Sequence, residues 1–466
     1  MRKTTLFIPV LFLMIILASC ASQPQKSSSE GTSQYKDFVD KNSDQPILNN
    51  SRNYETRKTA EQEGLGSYCT GKIACEKFCH NHQGECESYC RNNHENPLCR
   101  LVFLPRNEAR AMENRKPDCT GTGTVLFTSP PMRIEDIDYI SPIGQMIGGH
   151  VTPIDHGYYT AKDWNPQQGR NDASIFKEVL APANGIVQSV QSMPKEFQSS
   201  SLGDYRIIID HTCTFYTIYI HVNQLSPKLQ AIADTGRTAQ VTAGEVIGKA
   251  PGFDFSAHDE QVILPGFIVP AHYNGEPWKI HTVDMFNSFA EPIRTQLLEK
   301  NIRQQEPQGG KIDYDIDGKL VGNWFEKNTN WYVGRKELAH GYGYWATHLS
   351  FAYDGLDPRL VIVSMGNFSN EAMQFAVKEN TPNPASIGVE TGLVKYMLTR
   401  FDYWTNNGRW DRKGFAKITK AEGEDLIEGT VLVRMLDKRT IEFESFPGKK
   451  SGEVHGFTEN AKFYER

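Results

Sequence analysis

The sequence predicts a mainly β protein. It reads as an antiparallel β-sheet groove unit in the middle of the chain, a second β barrel or sandwich after it, and a small helical hairpin near the N-terminus. Three observations carry this reading. Tyr205 to Asp210 and Phe215 to His221 are β-branched and aromatic runs on either side of a short polar turn. Past residue 311, short alternating runs recur between Gly and Asp-Gly turns, as in barrels and sandwiches. Near the N-terminus, Cys75-x3-Cys79 and Cys86-x3-Cys90 each put two thiols on one face of a helical turn.

Taken from its start, the chain opens with Arg2 and Lys3, a short apolar run from Leu6 to Leu17, and Leu17-Ala18-Ser19-Cys20. The run is shorter than a bilayer span and reads as an export signal over residues 1–19. Its ending resembles a bacterial lipobox, which implies lipidation of Cys20 and an exported protein held on a membrane face. Residues 20–66 are rich in Ser, Gln, Glu, Lys and Asn, a solvated tether unable to bury a core.

Residues 67–120 hold six cysteines between Cys69 and Cys99, with Cys119 beyond them. In an exported chain these predict disulfides. Two short helices folding back on each other would pair Cys75 with Cys90 and Cys79 with Cys86, cross-links standing in for a core. Cys69 with Cys99, and Cys119 with Cys213, complete the set. A zinc knob using these thiols with His80, His82 or His94 is the competing arrangement. The net charge of −6, with no basic run, gives no support to a nucleic-acid partner.

The central unit spans residues 121–295. Asn184-Gly185 between apolar runs reads as a β-hairpin turn, and Ala243-Gly244-Glu245 before Val246 as another. In the second strand Cys213, Phe215, Thr217, Tyr219 and His221 share a face, so His221 ends a strand on a half-polar surface. Candidate chemistry gathers around Gly148-Gly149-His150-Val151-Thr152-Pro153-Ile154-Asp155-His156 and Phe253-Asp254-Phe255-Ser256-Ala257-His258-Asp259.

In that order, these pieces resemble the lysostaphin-type (LytM-like) zinc endopeptidases that cut peptidoglycan cross-bridges. The resemblance covers about a quarter of the chain and implies a β groove with a zinc ion held by three protein ligands and one open position. The family takes two ligands from His-x-x-x-Asp and the third from the last histidine of a His-x-His strand. His150 and Asp155 occupy the first motif with one extra residue between them, and His156 is the alternative to His150. Tyr219-Ile220-His221 matches the run ending in an assisting histidine, giving His221 the catalytic role. Asp254 and Ser256 stand where the His-x-His pair belongs, so this sequence departs from the family there.

Asp254, His258 and His281 are the candidates for a replacement third ligand. Asp254, Ser256 and His258 would point the same way along a strand, though two residues displace a ligand by about 6–7 Å. Taken as lone strand histidines, His211 and His258 read as hydrogen-bonded structural residues before ligands. The cofactor is accordingly zinc or none. The expected function is an envelope lipoprotein with a degenerate endopeptidase-like unit that binds cell-wall polymer, a glycan-peptide ligand or a regulatory partner without hydrolysis. The alternatives are an active zinc metalloendopeptidase with a rearranged third ligand, and a non-catalytic adhesin or scaffold.

Residues 296–311 are polar, with Gln, Pro and Gly-Gly, and read as a linker. Residues 312–466 form the second β unit, with a strand through Trp345 to Tyr353, another over Leu360 to Met365, and a hairpin through Asp437-Lys438-Arg439. Gly322-Asn323-Trp324 is similar to the Gly-x-Trp at the start of lipocalin barrels, but three residues are a short match and a buried tryptophan of any β unit is the favoured reading. No nucleophile–base pair, phosphate loop or metal-spaced cluster is legible in this unit.

Overall fold

The computed structural model describes residues 119–164, 169–335 and 343–466. The export segment, Cys20, the tether, and Cys69, Cys75, Cys79, Cys86, Cys90 and Cys99 lie outside the described residues. Cys119 and Cys213 form the expected disulfide, joining positions 94 apart in sequence. The described chain is mainly antiparallel β.

The central unit contains β1 (Ile137–Ser141), β2 (Gly157–Ala161), β3 (Lys177–Leu180), β4 (Gly185–Ser192), β5 (Tyr205–Asp210), β6 (Phe215–Val222), β7 (Gln224–Leu225), β8 (Ala239–Val241), β9 (Val246–Ala250), β10 (Gly252–Asp259) and β11 (Thr282–Val283). The main sheet runs β1-β2-β10-β6-β5-β4-β8, with β11 on β10; β3-β9-β7 form a smaller second sheet. β5 and β6 pair as the expected hairpin. On the core face Phe215, Thr217 and Tyr219 are fully buried. They meet Tyr159, Phe253, Phe255 and Phe127, an aromatic core in which Tyr159 and Phe253 stack at 5.4 Å. A single helix, α1 (Pro227–Thr235), connects β7 to β8; Ser226 caps its start and Gly236 ends it at a φ of 67°.

The two turns read as hairpins are corners instead. β3 pairs with β9, while β4 pairs with β5 and β8, so the chain changes sheet at Asn184-Gly185 and again between Val241 and Val246. The corners bind each other. Ala181 N donates to Glu245 O, Gly244 N to Ala181 O, and the Asn184 Oδ1 accepts from Ala243 N. Pro182 after Leu180 removes a backbone donor at the position where a direct β3–β4 ladder would continue.

The C-terminal unit comprises β12 (Gly322–Glu326), β13 (His348–Tyr353), β14 (Val361–Phe368), β15 (Glu371–Val377), β16 (Leu393–Thr405), β17 (Gly408–Arg409), β18 (Lys420–Met435), β19 (Thr440–Pro447) and β20 (Lys462–Glu465). Apart from the short β17, which hangs on β16, each strand pairs with the next in sequence, and β20 returns to pair with β12. This closes an eight-stranded up-and-down barrel, and closure removes sheet edges. Of the two architectures expected for this unit, the barrel is the one formed. Its interior is filled by side chains such as Trp324, Phe351, Val363, Tyr396, Val433 and Phe443, as eight strands allow. Gly322-Asn323-Trp324 opens β12. Trp324 is fully buried, its indole N–H donates to Leu320 O, and the Arg466 guanidinium lies 4.0 Å from its ring centroid.

The stretch 296–311, expected as a linker, is fastened at both ends. It starts in α2 (Ile293–Lys300) and continues through the buried Asn301, Ile302 and Arg303. Arg303 Nη1 donates to Gly355 O of the barrel unit, and Lys417 Nζ donates to the carbonyls of Leu298 and Asn301. Beside it, Ile143, Phe267, Tyr273, Ile280 and Ile312 share one core with Phe325, Trp331 and Tyr332. The two units therefore meet through buried apolar surface.

Candidate functional site

The site lies where β2, β6 and β10 end beside the seam. Its geometry starts with an irregularity in β6. Tyr205 pairs with Val222 but Ile207 pairs with Tyr219, so β6 carries one residue more than β5 across this interval. His221 sits in that bulge with a φ of 68°. Regular alternation would have turned its side chain into the core with Tyr219; a bulge with a left-handed residue re-aims it. His221 Nδ1 is 2.9 Å from Asp204 Oδ2, and its Nε2 is 3.8 Å from Asp254 Oδ2. Strain of this kind, in a non-glycine residue, is concentrated at functional sites.

Asp204 is held by the loop before β5. It accepts from Ser199 N and Ser199 Oγ, both at 2.6 Å, as well as facing His221. Burial pushes its carboxyl up, but His221 and Ser199 outweigh that and hold it below the usual carboxylate range. Arg170 ties the adjoining strand ends together by donating to Gly252 O at 2.6 Å and His221 O at 3.3 Å.

His156 occupies the centre. Its Nδ1 lies 3.5 Å from Asp155 Oδ1 and its Nε2 lies 3.4 Å from Asp254 Oδ2. Burial pushes the imidazole down, yet Asp254 and Asp155 raise it above its ordinary value. Asp155 faces Lys279 Nζ at 3.7 Å on its other side. Burial pushes this carboxyl up, and Lys279 with His156 pulls it well below the usual range. Lys279, only 1% exposed, donates to Pro153 O at 2.7 Å. The barrel unit supplies the next layer. Tyr332 donates its hydroxyl to Glu276 Oε2 at 2.7 Å, and Tyr344 reaches Oε1 at 3.5 Å. Burial and the neighbouring Asp155 raise the Glu276 carboxyl.

Of the residues expected as ligands, the structure brings together Asp155 and Asp254, one on each side of His156, and sets the half-buried His150 ring 5.3 Å from the His156 ring. His258 does share a face with Asp254 and Ser256. Two residues along β10, however, carry it away from His156, to Ser256 Oγ at 2.7 Å and Trp278 O at 3.0 Å. His281 Nδ1 lies 2.6 Å from Val262 O. His211 bonds to Asn184 O and Thr217 Oγ1, consistent with its structural reading.

Zinc would need three donors at about 2.0–2.2 Å from one point. Among the described residues, no group of three His, Cys, Asp or Glu side chains is spaced to hold a metal. His156 is the clearest reason. Both of its nitrogens are turned to carboxylates, which favours an imidazolium over a neutral metal-binding ring. As they stand, these residues do not fit zinc.

Lys279, Glu276, Asp204, Tyr332 and Tyr344 belong to the site without having been legible in the sequence. They come from loops and 3₁₀ turns, where no periodicity marks a facing side chain.

The chain matches no protein-family model and no curated protein sequence. Among solved structures it is similar to one titled "NMR solution structure of lysostaphin", with 12% sequence identity, 57% of this chain and 100% of that chain covered, and a TM-score of 0.21. A likeness of that size carries no argument about activity.

The two neighbouring histidines act on stability with opposite signs. Burial lowers the His150 imidazole to about 3, with His156 and Lys279 adding to the effect. Its contribution to stability is present above the unfolded value of about 6.5 and is lost as pH falls from there toward 3. His156 is raised, so its contribution is present below about pH 6.5 and is lost as pH rises through its folded value. In urea unfolding across pH 4 to 9, His150→Asn is expected to flatten the acid limb, by at most about 1.4 kcal/mol per pH unit. His156→Asn is expected to flatten the alkaline limb. The same limb changing in both variants would contradict the assignment.

Proposed function

We propose that the chain is an envelope lipoprotein, tethered through Cys20, whose central unit keeps a lysostaphin-type groove but uses it to bind cell-wall polymer rather than to hydrolyse it. The observation that carries this reading is the position of Asp254. Of the His-x-His pair in the family pattern, the second, zinc-binding position is Ser256 here, its Oγ 2.7 Å from His258 Nε2, and the first is Asp254, a carboxylate already facing His156 and His221. Such a site supplies charge and hydrogen bonds for recognition without a metal-activated water. The Asp204–His221 pair and the fixed Asp155–His156–Asp254 row give the groove a rigid polar wall, and rigidity lowers the entropy cost of holding a ligand.

The test mixes the full chain with purified cell walls. The protein is expected to co-sediment with them, to leave their turbidity unchanged, and to contain no stoichiometric zinc by elemental analysis. Asp254→Ala is expected to weaken co-sedimentation. Stoichiometric zinc that is lost in His150→Ala, together with falling turbidity, would replace this reading with that of an active metalloendopeptidase.

A further inference from the structure

The seam beside the polar row has an aromatic rim made by both units. Trp345 of the barrel unit lies against the Gly148-Gly149-His150 loop, so closely that a Cβ at Gly149 would stand 2.7 Å from the indole. Only glycine permits that approach. Gln374 of β15 fixes the same loop from the barrel side by donating to Gly148 O at 3.0 Å. Phe197, from the loop between β4 and β5, brings its ring centroid to 6.3 Å from that of Trp345. Both rings are half-buried, so together they form a partly exposed apolar shelf.

Behind the shelf, two buried atoms have no hydrogen-bond partner, His156 Nε2 and Asp254 Oδ1. His156 and Asp254 are 8% and 4% exposed. With a carboxylate beside each ring nitrogen, both nitrogens of His156 are placed to carry a proton, yet Nε2 makes no hydrogen bond to Asp254 Oδ2 3.4 Å away, and Asp254 Oδ1 is an acceptor. One unmet donor next to one unmet acceptor is the complement of an amide group. The surrounding charge is close to balance, Asp155, Asp204 and Asp254 against Lys279, His156 and Arg170, which suits a neutral ligand over an anion or a cation.

We propose that this seam binds an N-acetylated amino sugar, its ring lying along Trp345 and Phe197 and its amide group turned to His156 Nε2 and Asp254 Oδ1. The assignment rests on the polymer-binding reading and narrows it to the glycan part of the polymer. It also gives the barrel a share in recognition, because one ring of the shelf and the hydrogen bond anchoring the His150 loop both belong to that unit.

Calorimetric titration of the full chain with tetramers of N-acetylglucosamine, glucosamine and glucose tests it. The acetylated tetramer is expected to bind, and the other two to bind at least about tenfold more weakly, because each leaves the amide-seeking atoms unmet. Trp345→Ala and Phe197→Ala are each expected to weaken the acetylated tetramer about tenfold. Phe197 is the more peripheral of the two and keeps the test decisive should Trp345→Ala fail to fold; near-ultraviolet circular dichroism verifies its fold. Equal affinity for the acetylated and glucose tetramers, or unchanged affinity in folded Phe197→Ala, overturns the proposal. Co-sedimentation with cell walls but no binding of the acetylated tetramer overturns the sugar assignment alone. Binding of neither overturns this proposal and the polymer-binding reading together.

Discussion

Deleting residues 312–466 is expected to leave residues 119–311 unable to fold cooperatively. The cause is the shared core at the seam. Ile143, Phe267, Tyr273 and Ile280 of the central unit are covered by Phe325, Trp331 and Tyr332, and Ile312 goes with the deletion. Uncovering an apolar side chain of this size costs about 1.5–3 kcal/mol. Four of them together approach the whole stability of an ordinary domain, about 5–15 kcal/mol. The deletion also removes Gly355 O, which accepts from Nη1 of the buried Arg303 guanidinium, and the Lys417 ammonium that satisfies the end of α2. Near-ultraviolet circular dichroism and urea unfolding of the fragment check this. A sharp, fully reversible transition in residues 119–311 would show that the seam is an accessory contact and not part of the core.

The second large effect is expected from Lys279→Met. Methionine matches the aliphatic stem of lysine but brings no charge. Asp155 would lose the cation 3.7 Å away, and Pro153 O would lose its 2.7 Å donor, both in a place closed to water. Removing one partner of a buried ion pair costs about 3–5 kcal/mol, because the remaining charge stays buried. The face of the Tyr332 ring, 5.5 Å from the Lys279 ammonium, would lose that contact as well. Adding Asp155→Asn to Lys279→Met should restore part of the loss, since it removes the stranded charge. A double-mutant cycle with no coupling between the two positions would refute the electrostatic account.

The sequence shows the class of the fold and part of the site for a definite reason. Strand periodicity and β-branched runs act locally, so β5, β6 and the alternation along β10 could be read directly, including the common face of Asp254, Ser256 and His258. Cys119 and Cys213 could be paired because few partners remained. The corner at Asn184-Gly185 could not be distinguished from a hairpin. A turn signal specifies a change of direction, while the sheet each arm joins depends on distant strands. The bulge at His221 was hidden for a similar reason. One extra residue has meaning only against the register of β5, and register belongs to the pair. Nothing local in the sequence sets Lys279 apart from the solvated surface lysines that are the usual case. Only the packing of Tyr332 and Pro153 around it shows that it is a buried counter-ion.

Closure of the barrel has a kinetic consequence. Its last strand must find its first, and the Lys462–Glu326 ion pair that bridges them joins positions 136 apart in sequence. Ring closure over that span is a slow step, because chain entropy is lost before the distant contact can compensate for it. Until then β12 and β20 each present an unpaired edge, open to pairing with another chain. Soluble yield from refolding should therefore fall as protein concentration rises, and substitutions along the β12–β20 pair should lower it more than substitutions of equal thermodynamic cost elsewhere in the ring.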